Sequence, residues 1–491
     1  MTPPLPADCL DGILQHLHDD AGSLYSCMLV NRLWCKSVVP ILWSNPWQSR
    51  QLLIDSTPRP FIVRTLLSCL SEESKQIFKK NGIEFSTQIS RYPLFDYIGY
   101  CQYLSPSIID IVKRETVGNS NESDLPRAYR ETLVEQEFYK MFMSRTYLKS
   151  LVLPKIPLSY CPGANVCLEK LRELKCHTDR SPELYYGLAQ ISRNILRLNI
   201  YPCDEDNEGL IALIKLQNGL QSLVLKSSEN LVSECPRMGF ALKTQAHSLK
   251  YIKIRKSLCI SPTILSSFVN LRILQLDLTT RIHNMEQFAN IYLPKLEILD
   301  IFRDENTPFS IYIRFIENVS QRIQRIYWES ISLPTNSLEI RKYLQVLSLS
   351  SATLKFITIW WDEDCMDILY HLLISCPKLE AIRICCPIEE ELSNKGNKIF
   401  EILKKAAPRN LSILNLHIKW AYSDIVLQDF LESWRDKNQI SLYLPYEIKL
   451  LVNCDVIIRR YREEGVLKDF QYVEDTLYNV YSLRDLWNHN I

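Results

Sequence analysis

His16 and His18, with Cys27 and Cys35 downstream, come nearest in this chain to a set of metal ligands. A His-x-His pair on a helix sends its two rings to different faces, whereas zinc needs four donors converging on one point. Cys385-Cys386 and the pair Cys161 and Cys167 lack ligand spacing, and no Cys-x-x-Cys occurs. There is no phosphate-cradling Gly-x-x-x-x-Gly-Lys, no His-Glu-x-x-His and no Gly-x-Ser-x-Gly. The acidic run Asp362-Glu363-Asp364 reads as loop solvation, and Asn121, Asn318 and Asn410 open glycosylation sequons that read as chance matches. No cofactor, metal or bond chemistry is expected. What remains is recognition, the work of aromatic and arginine side chains on a presented surface.

The elements that would present such a surface are repeated. From residue 148 a pattern Leu-x-x-Leu-x-Leu, with Ile, Trp or Cys sometimes replacing Leu, begins at Leu148, Leu171, Ile195, Leu220, Leu249, Leu271, Leu296, Ile323, Leu354, Leu379 and Leu411. Single matches would arise by chance, but the intervals run from 22 to 32 residues and average about 26, the period of a strand-plus-helix repeat. The intervening segments supply the helices: residues 366–374 are helical in pattern and Ser375-Cys376-Pro377 stops them before Leu379. The fold class is therefore α/β, an irregular solenoid of parallel strands with helices outside, over residues 148–445. Because strand side chains alternate, the residues flanking the core leucines face the strand-lined concave side. The early repeats read as basic there, with Lys175, Arg197 and Lys226 leading to a cluster of Tyr251, Lys253 and Arg255. Later repeats read as aromatic, with Phe302, Tyr327, Phe356 and Trp360 as an exposed stripe and Arg383 beyond it. These eight residues, from Tyr251 to Arg383, are the expected binding set for a partner protein, the basic cluster favouring an acidic or phosphorylated element.

A chain of 491 residues is too long for one ordinary core. Its 57 basic and 56 acidic residues nearly cancel, which argues against a general nucleic-acid or membrane-surface binder. Glycine is scarce at 12, unlike enzymes built on phosphate loops and tight active-site turns. Sixteen scattered cysteines without a signal-like start read as reduced thiols in the cytoplasm or nucleus. No apolar run approaches bilayer-spanning length.

The N-terminal 47 residues differ in texture. Leu10, Ile13, Leu14 and Leu17 form one helical stripe, Pro6 and Asp8 suit that helix's first turn, and Ser23 is placed to cap a second helix carrying Leu24, Cys27 and Met28. Trp34, Val38 and Ile41 mark a third. So small a unit should dock on something. Leu5-Pro6-x-x-x-Leu10-x-x-Ile13, then Val30-Asn31-Arg32-x-Trp34, then Leu42-Trp43 resemble the F-box. That resemblance implies an adaptor-binding module: Leu5, Pro6, Leu10, Ile13 and Leu14 would face a Skp-type adaptor of a cullin–RING ubiquitin ligase. Cys27, Val30, Trp34, Leu42 and Trp43 would close the motif. Cys376-Pro377-Lys378-Leu379-Glu380 likewise resembles wording in the leucine-rich repeats of F-box proteins. The organisation expected is an F-box at 1–47, a helical connector at 48–147, the solenoid, and a helical C-terminal cap at 446–491. Within the connector, helices are expected at 61–70, from Ser71 through Phe78, at 94–103, at 107–115 and at 133–143. The resemblance implies a non-catalytic substrate receptor with two partners, the adaptor–cullin complex and a substrate protein. The rival reading is an interaction scaffold whose first helices only cap the solenoid.

Overall fold

A computed structural model of the chain describes residues 7–17, 20–46, 59–83, 93–117, 126–228, 234–280, 284–304, 307–319, 322–330, 334, 336–385, 395–417, 423–445 and 455–473. It divides into two compact units, residues 1–223 with 235–245 and residues 224–234 with 246–491.

The first unit opens with three short helices, α1 (Ala7–His16), α2 (Ala21–Met28) and α3 (Arg32–Ser44). Asp20, not the expected Ser23, caps α2: its carboxylate accepts from the Ser23 amide at 3.0 Å and from the Ser23 hydroxyl at 2.6 Å. Those bonds hold the Asp20 carboxyl below its ordinary range. Asn31 caps α3, accepting from the amides of Leu33 and Trp34 at 2.9 and 3.1 Å. Leu10, Leu14, Leu24 and Val38 form the centre of the trio, sealed by Leu17, Cys27, Met28, Trp34, Ile41 and Leu42.

The connector supplies α4 (Arg59–Ser68), α5 (Glu72–Lys80), α6 (Tyr97–Tyr100), α7 (Pro106–Val117) and α8 (Arg127–Arg145). Ser71 caps α5 as its position suggests. The helix expected over 94–103 is cut to the single turn of α6, because Gln102 is claimed by long-range backbone pairing. Its amide donates to the Ser44 carbonyl at 2.8 Å, and its carbonyl accepts from the Lys149 and Ser150 amides at 2.8 and 3.0 Å. That pairing starts a strand, β1 (Tyr103–Leu104), at the end of the helix expected over 94–103. It also ties α3 to the sheet edge, where Trp43 packs on Tyr97 with ring centroids 4.4 Å apart.

The repeats of this unit carry β2 (Ser150–Val152), β3 (Glu173–Cys176) and β4 (Arg197–Ile200), paired in parallel so that Ser150, Glu173 and Arg197 lie side by side. Two buried glutamines fasten successive turns of these repeats. Gln217 accepts from the Ile195 amide at 2.9 Å and donates to the carbonyls of Ser192 and Leu213, both at 2.9 Å. Gln245, one repeat on, accepts from the Leu220 amide and donates to the carbonyls of Ile214 and Gln217. Gln217→Leu removes three bonds from buried backbone groups and is expected to lower stability by about 2–3 kcal/mol, read as a fall in denaturation midpoint with an unchanged m-value.

β5 (Ser222–Lys226) crosses the boundary between the units. The second unit continues with β6 (Tyr251–Lys256), β7 (Ile273–Leu278), β8 (Ile298–Asp304), β9 (Arg325–Ser330), β10 (Phe356–Trp360), β11 (Ala381–Cys385), β12 (Ile413–His417), β13 (Ile440–Pro445) and β14 (Leu467–Val473). Within each unit strand order follows chain order, and helices join the successive strands from residue 164 onward. The C-terminal part is not purely helical as expected. Its helix Asp455–Glu463 leads into β14, which pairs with β13, so the strands run one further than the expected solenoid end at residue 445.

Behind the sheet, between strands and helices, four aromatic rings fill the centre of this unit. Phe309 stacks on Trp328 with centroids 4.5 Å apart, Trp360 meets Trp328 edge-on at 4.8 Å, and Tyr343 lies 5.5 and 5.8 Å from the two tryptophans. The Tyr343 hydroxyl donates to the Thr358 carbonyl at 2.9 Å, which satisfies its polar end inside the core.

Candidate interaction surfaces

Two surfaces carry the residues that sequence patterning singles out. On the N-terminal helices, Leu5 and Pro6 lie outside the described residues. Leu10 and Leu14 are fully buried in the chain's own core, a correction to their expected place on an adaptor-facing surface. The physical reason is size: a three-helix unit this short spends its i, i+4 leucines on itself. Ile13 is exposed (48%) and so is Val30 (60%), while Trp34, Leu42 and Trp43 are half-buried. The structure adds three residues that the motif did not flag, Tyr25, Leu29 and Leu33. Tyr25 and Leu29 stand one turn apart on one stripe, and Leu29, Val30 and Leu33 run through the α2–α3 turn. They are exposed apolar side chains on a unit whose own core is already filled.

On the sheet, alternation holds through β3 to β6: Leu174, Cys176, Leu198, Ile200, Leu223, Leu225, Ile252 and Ile254 point into the core and their neighbours point away. The basic character expected on that outward face is largely neutralised. In the first unit Glu173 takes Arg197 at 3.3 Å and Lys175 at 3.5 Å. In the second, Arg255 pairs with Asp277 at 3.1 Å, and Tyr251 donates to Gln275 at 2.7 Å. Gln275 and Asp277 belong to the repeat beginning at Leu271, at the same offsets as Lys253 and Arg255 one repeat earlier, so the periodicity that located one pair also locates the other. Gln275 in turn donates to Asp300 at 2.8 Å, and Asp300 meets Arg325 at 3.2 Å with both side chains almost entirely buried.

The aromatic stripe is real in part, but it is not exposed. Phe302, Tyr327 and Phe356 form one cluster with Ala381 on the face turned away from the helices, and each retains 8% exposure or less. Trp360 is not in it. Its ring sits among Phe309, Trp328 and Tyr343, at the last position of β10. Arg383 is buried as well, donating to the Tyr327 hydroxyl at 2.7 Å with its guanidinium 5.5 Å from the ring centroid. The Tyr327 hydroxyl in turn donates to Glu329 at 3.2 Å, and burial pushes its phenol well above the ordinary range. It therefore remains a neutral donor near neutral pH.

These contacts hold and present; none assembles a nucleophile with a base. The described cysteines are free thiols, and burial pushes Cys101 and Cys176 up to about 12 and Cys376 to about 11, so they stay protonated. Among the described residues no group of three or more His, Cys, Asp or Glu is placed to hold a metal ion, and no helix is long and apolar enough to cross a membrane.

The architecture is a leucine-rich-repeat solenoid. No family model matches the chain, and no curated protein matches it in sequence. Similar solved structures include the Toll–Spatzle complex of Drosophila, 11% identical with a TM-score of 0.31 over 63% of this chain. The mouse RP105/MD-1 complex is 14% identical with a TM-score of 0.31 over 72%, and a Bacteroides fragilis protein is 12% identical with a TM-score of 0.26 over 64%. The matched regions span 48% of the Toll–Spatzle chain, 60% of the RP105/MD-1 chain and 83% of the bacterial one.

Proposed function

We propose that this chain is the substrate-recognition subunit of an SCF-type ubiquitin ligase. The three N-terminal helices dock on a Skp-type adaptor, and the repeats bind the protein to be modified. The observation that carries this reading is the exposed apolar set Ile13, Tyr25, Leu29, Val30 and Leu33 on helices whose own core is already filled. The sequence from Leu5 to Trp43 resembles the F-box, an adaptor-binding module. The chain performs no bond chemistry in this reading; it raises the effective concentration of a partner lysine near a ubiquitin-loaded enzyme. Within the second unit, half-buried Tyr251, Lys253 and Arg255 offer polar contact to that partner, beside the aromatic cluster of Phe302, Tyr327 and Phe356. Cytoplasm or nucleus is the compartment this role requires.

A reconstituted reaction tests it. With adaptor, cullin–RING complex and charged conjugating enzyme, the chain is expected to direct ubiquitin onto lysines of itself or of a bound protein, and a Leu29→Asp, Leu33→Asp variant is expected to lose that transfer. Equal modification with and without the adaptor would leave the chain as a protein-interaction scaffold outside the ubiquitin system.

A further inference from the structure

In the second unit the residues that lead into the strands form a row linked through the backbone. The Arg272 amide donates to the Lys250 carbonyl at 2.9 Å, Glu297 to Arg272 at 2.8 Å, Gln324 to Glu297 at 2.9 Å, Lys355 to Gln324 at 2.7 Å and Glu380 to Lys355 at 2.8 Å. Two residues earlier in their repeats, Lys295, Arg322 and Lys378 stand beside this row. Lys250, Arg272, Lys295, Arg322 and Lys378 are exposed and Lys355 is half-exposed, so these cations share one rim with the carboxylates of Glu297 and Glu380 alone. The two carboxylates are loosely engaged, Glu297 by Arg272 at 3.7 Å and Glu380 by Lys355 at 3.8 Å. Among the described residues Lys250, Arg322 and Lys378 make no ion pair. The turns that carry the cations are nonetheless held in place. Asn270, Thr353 and Asn410 donate to carbonyls one repeat earlier, those of His247, Ile323 and Pro377, at 2.8, 2.7 and 2.9 Å, and Lys295 donates to Asn270 at 2.6 Å. Carboxylates gather toward the other ends of the strands, where Asp277, Glu329, Asp362 and Asp364 lie. A net charge of +1 over the whole chain conceals this separation.

We propose that the rim at the strand starts of β6 to β11 binds an extended acidic segment of a partner protein, with aspartates or glutamates spread over about seven residues. From β6 to β11 is five strand spacings, roughly 24 Å at 4.8 Å each, which seven extended residues at about 3.4 Å apiece match. Exposed cations on fixed turns attract such a segment and set its register, each pair being weak and the sum specific. The rim favours peptide over nucleic acid. A continuous line of phosphates would press charge against Glu297 and Glu380, whereas a peptide can set neutral or basic side chains opposite them. Among the described residues the two rows hold no aromatic ring on which bases could stack. The surface is separate from Tyr251, Lys253 and Arg255 on the strand face, and the inference does not rest on the adaptor reading.

Fluorescence anisotropy of the full chain with a short labelled oligoglutamate peptide at low ionic strength tests it. The unaltered chain is expected to bind, and an Arg322→Glu, Lys378→Glu variant to bind roughly ten-fold more weakly or worse. A Lys80→Glu, Lys342→Glu variant makes the same change of net charge on α5 and on a repeat helix, and is expected to bind as the unaltered chain does. All four side chains are exposed, and circular dichroism checks that both variants are folded. No binding by the unaltered chain, undiminished binding by the rim variant, or equal weakening in both variants would overturn the proposal. Tighter binding of a labelled oligothymidylate than of the peptide would overturn it in favour of a nucleic-acid surface.

Discussion

Trp360→Ala is expected to destabilise the protein by about 3–5 kcal/mol, the cost of a large-to-small change in a packed core, rather than to weaken partner binding in a folded chain. The ring is 1% exposed and shares its site with Phe309, Trp328 and Tyr343, all themselves buried. Removing it leaves a cavity faced by three rings, and Phe309 also loses its edge-on partner at 5.0 Å. The loss is too large a share of a typical domain's margin to be absorbed. Urea denaturation followed by tryptophan fluorescence and circular dichroism measures it. A variant of wild-type stability with impaired capture would return Trp360 to the binding surface.

Arg325→Ala is expected to cost about 3–5 kcal/mol, because it leaves the Asp300 carboxylate buried without its guanidinium. Asp300 is wholly enclosed and already accepts from Gln275, so the pair is one link in a chain of contacts running Tyr251, Gln275, Asp300, Arg325 across four strands. The neutral double variant Asp300→Asn, Arg325→Met keeps an acceptor for Gln275 and fills the space with apolar atoms. It is expected to recover most of the loss, since a buried pair contributes little net stability over a well-packed neutral replacement. Equilibrium unfolding of the two single variants and the double variant forms the cycle that checks this. Equal losses in the double variant and in Arg325→Ala would mean that the charge pair is not what the site depends on.

Much of this fold is legible in the sequence, because repeat spacing and two-residue alternation are local signals. The expected strand at every repeat start from Leu148 to Leu411 is present, and Ser71, Gly82 and Pro377 punctuate helices where their types suggest. What the pattern misjudged depends on distant partners. Periodicity extends a helix through Tyr103, yet pairing of Gln102 with Lys149 and Ser150 makes that stretch a sheet edge. Alternation sends Trp360 outward with Phe356, but it cannot register the rings of Phe309, Trp328 and Tyr343 among which Trp360 packs. The basic reading of Lys253 and Arg255 stopped one repeat short of Gln275 and Asp277. In the N-terminal helices spacing marks the apolar stripe, whereas only packing separates the leucines that build the core, Leu10 and Leu14, from the exposed Ile13, Tyr25, Leu29 and Leu33.

Titration calorimetry of the full chain with a purified Skp-type adaptor tests the adaptor-docking account most directly, run beside Ile13→Asp and Leu33→Asp variants shown to be folded. The account predicts a one-to-one complex with the unaltered chain and its loss when charges replace these exposed apolar side chains, since burying an unpaired carboxylate opposes docking. Absence of heat at every concentration with the unaltered chain, or equal affinity for all three chains, would contradict adaptor docking through this surface.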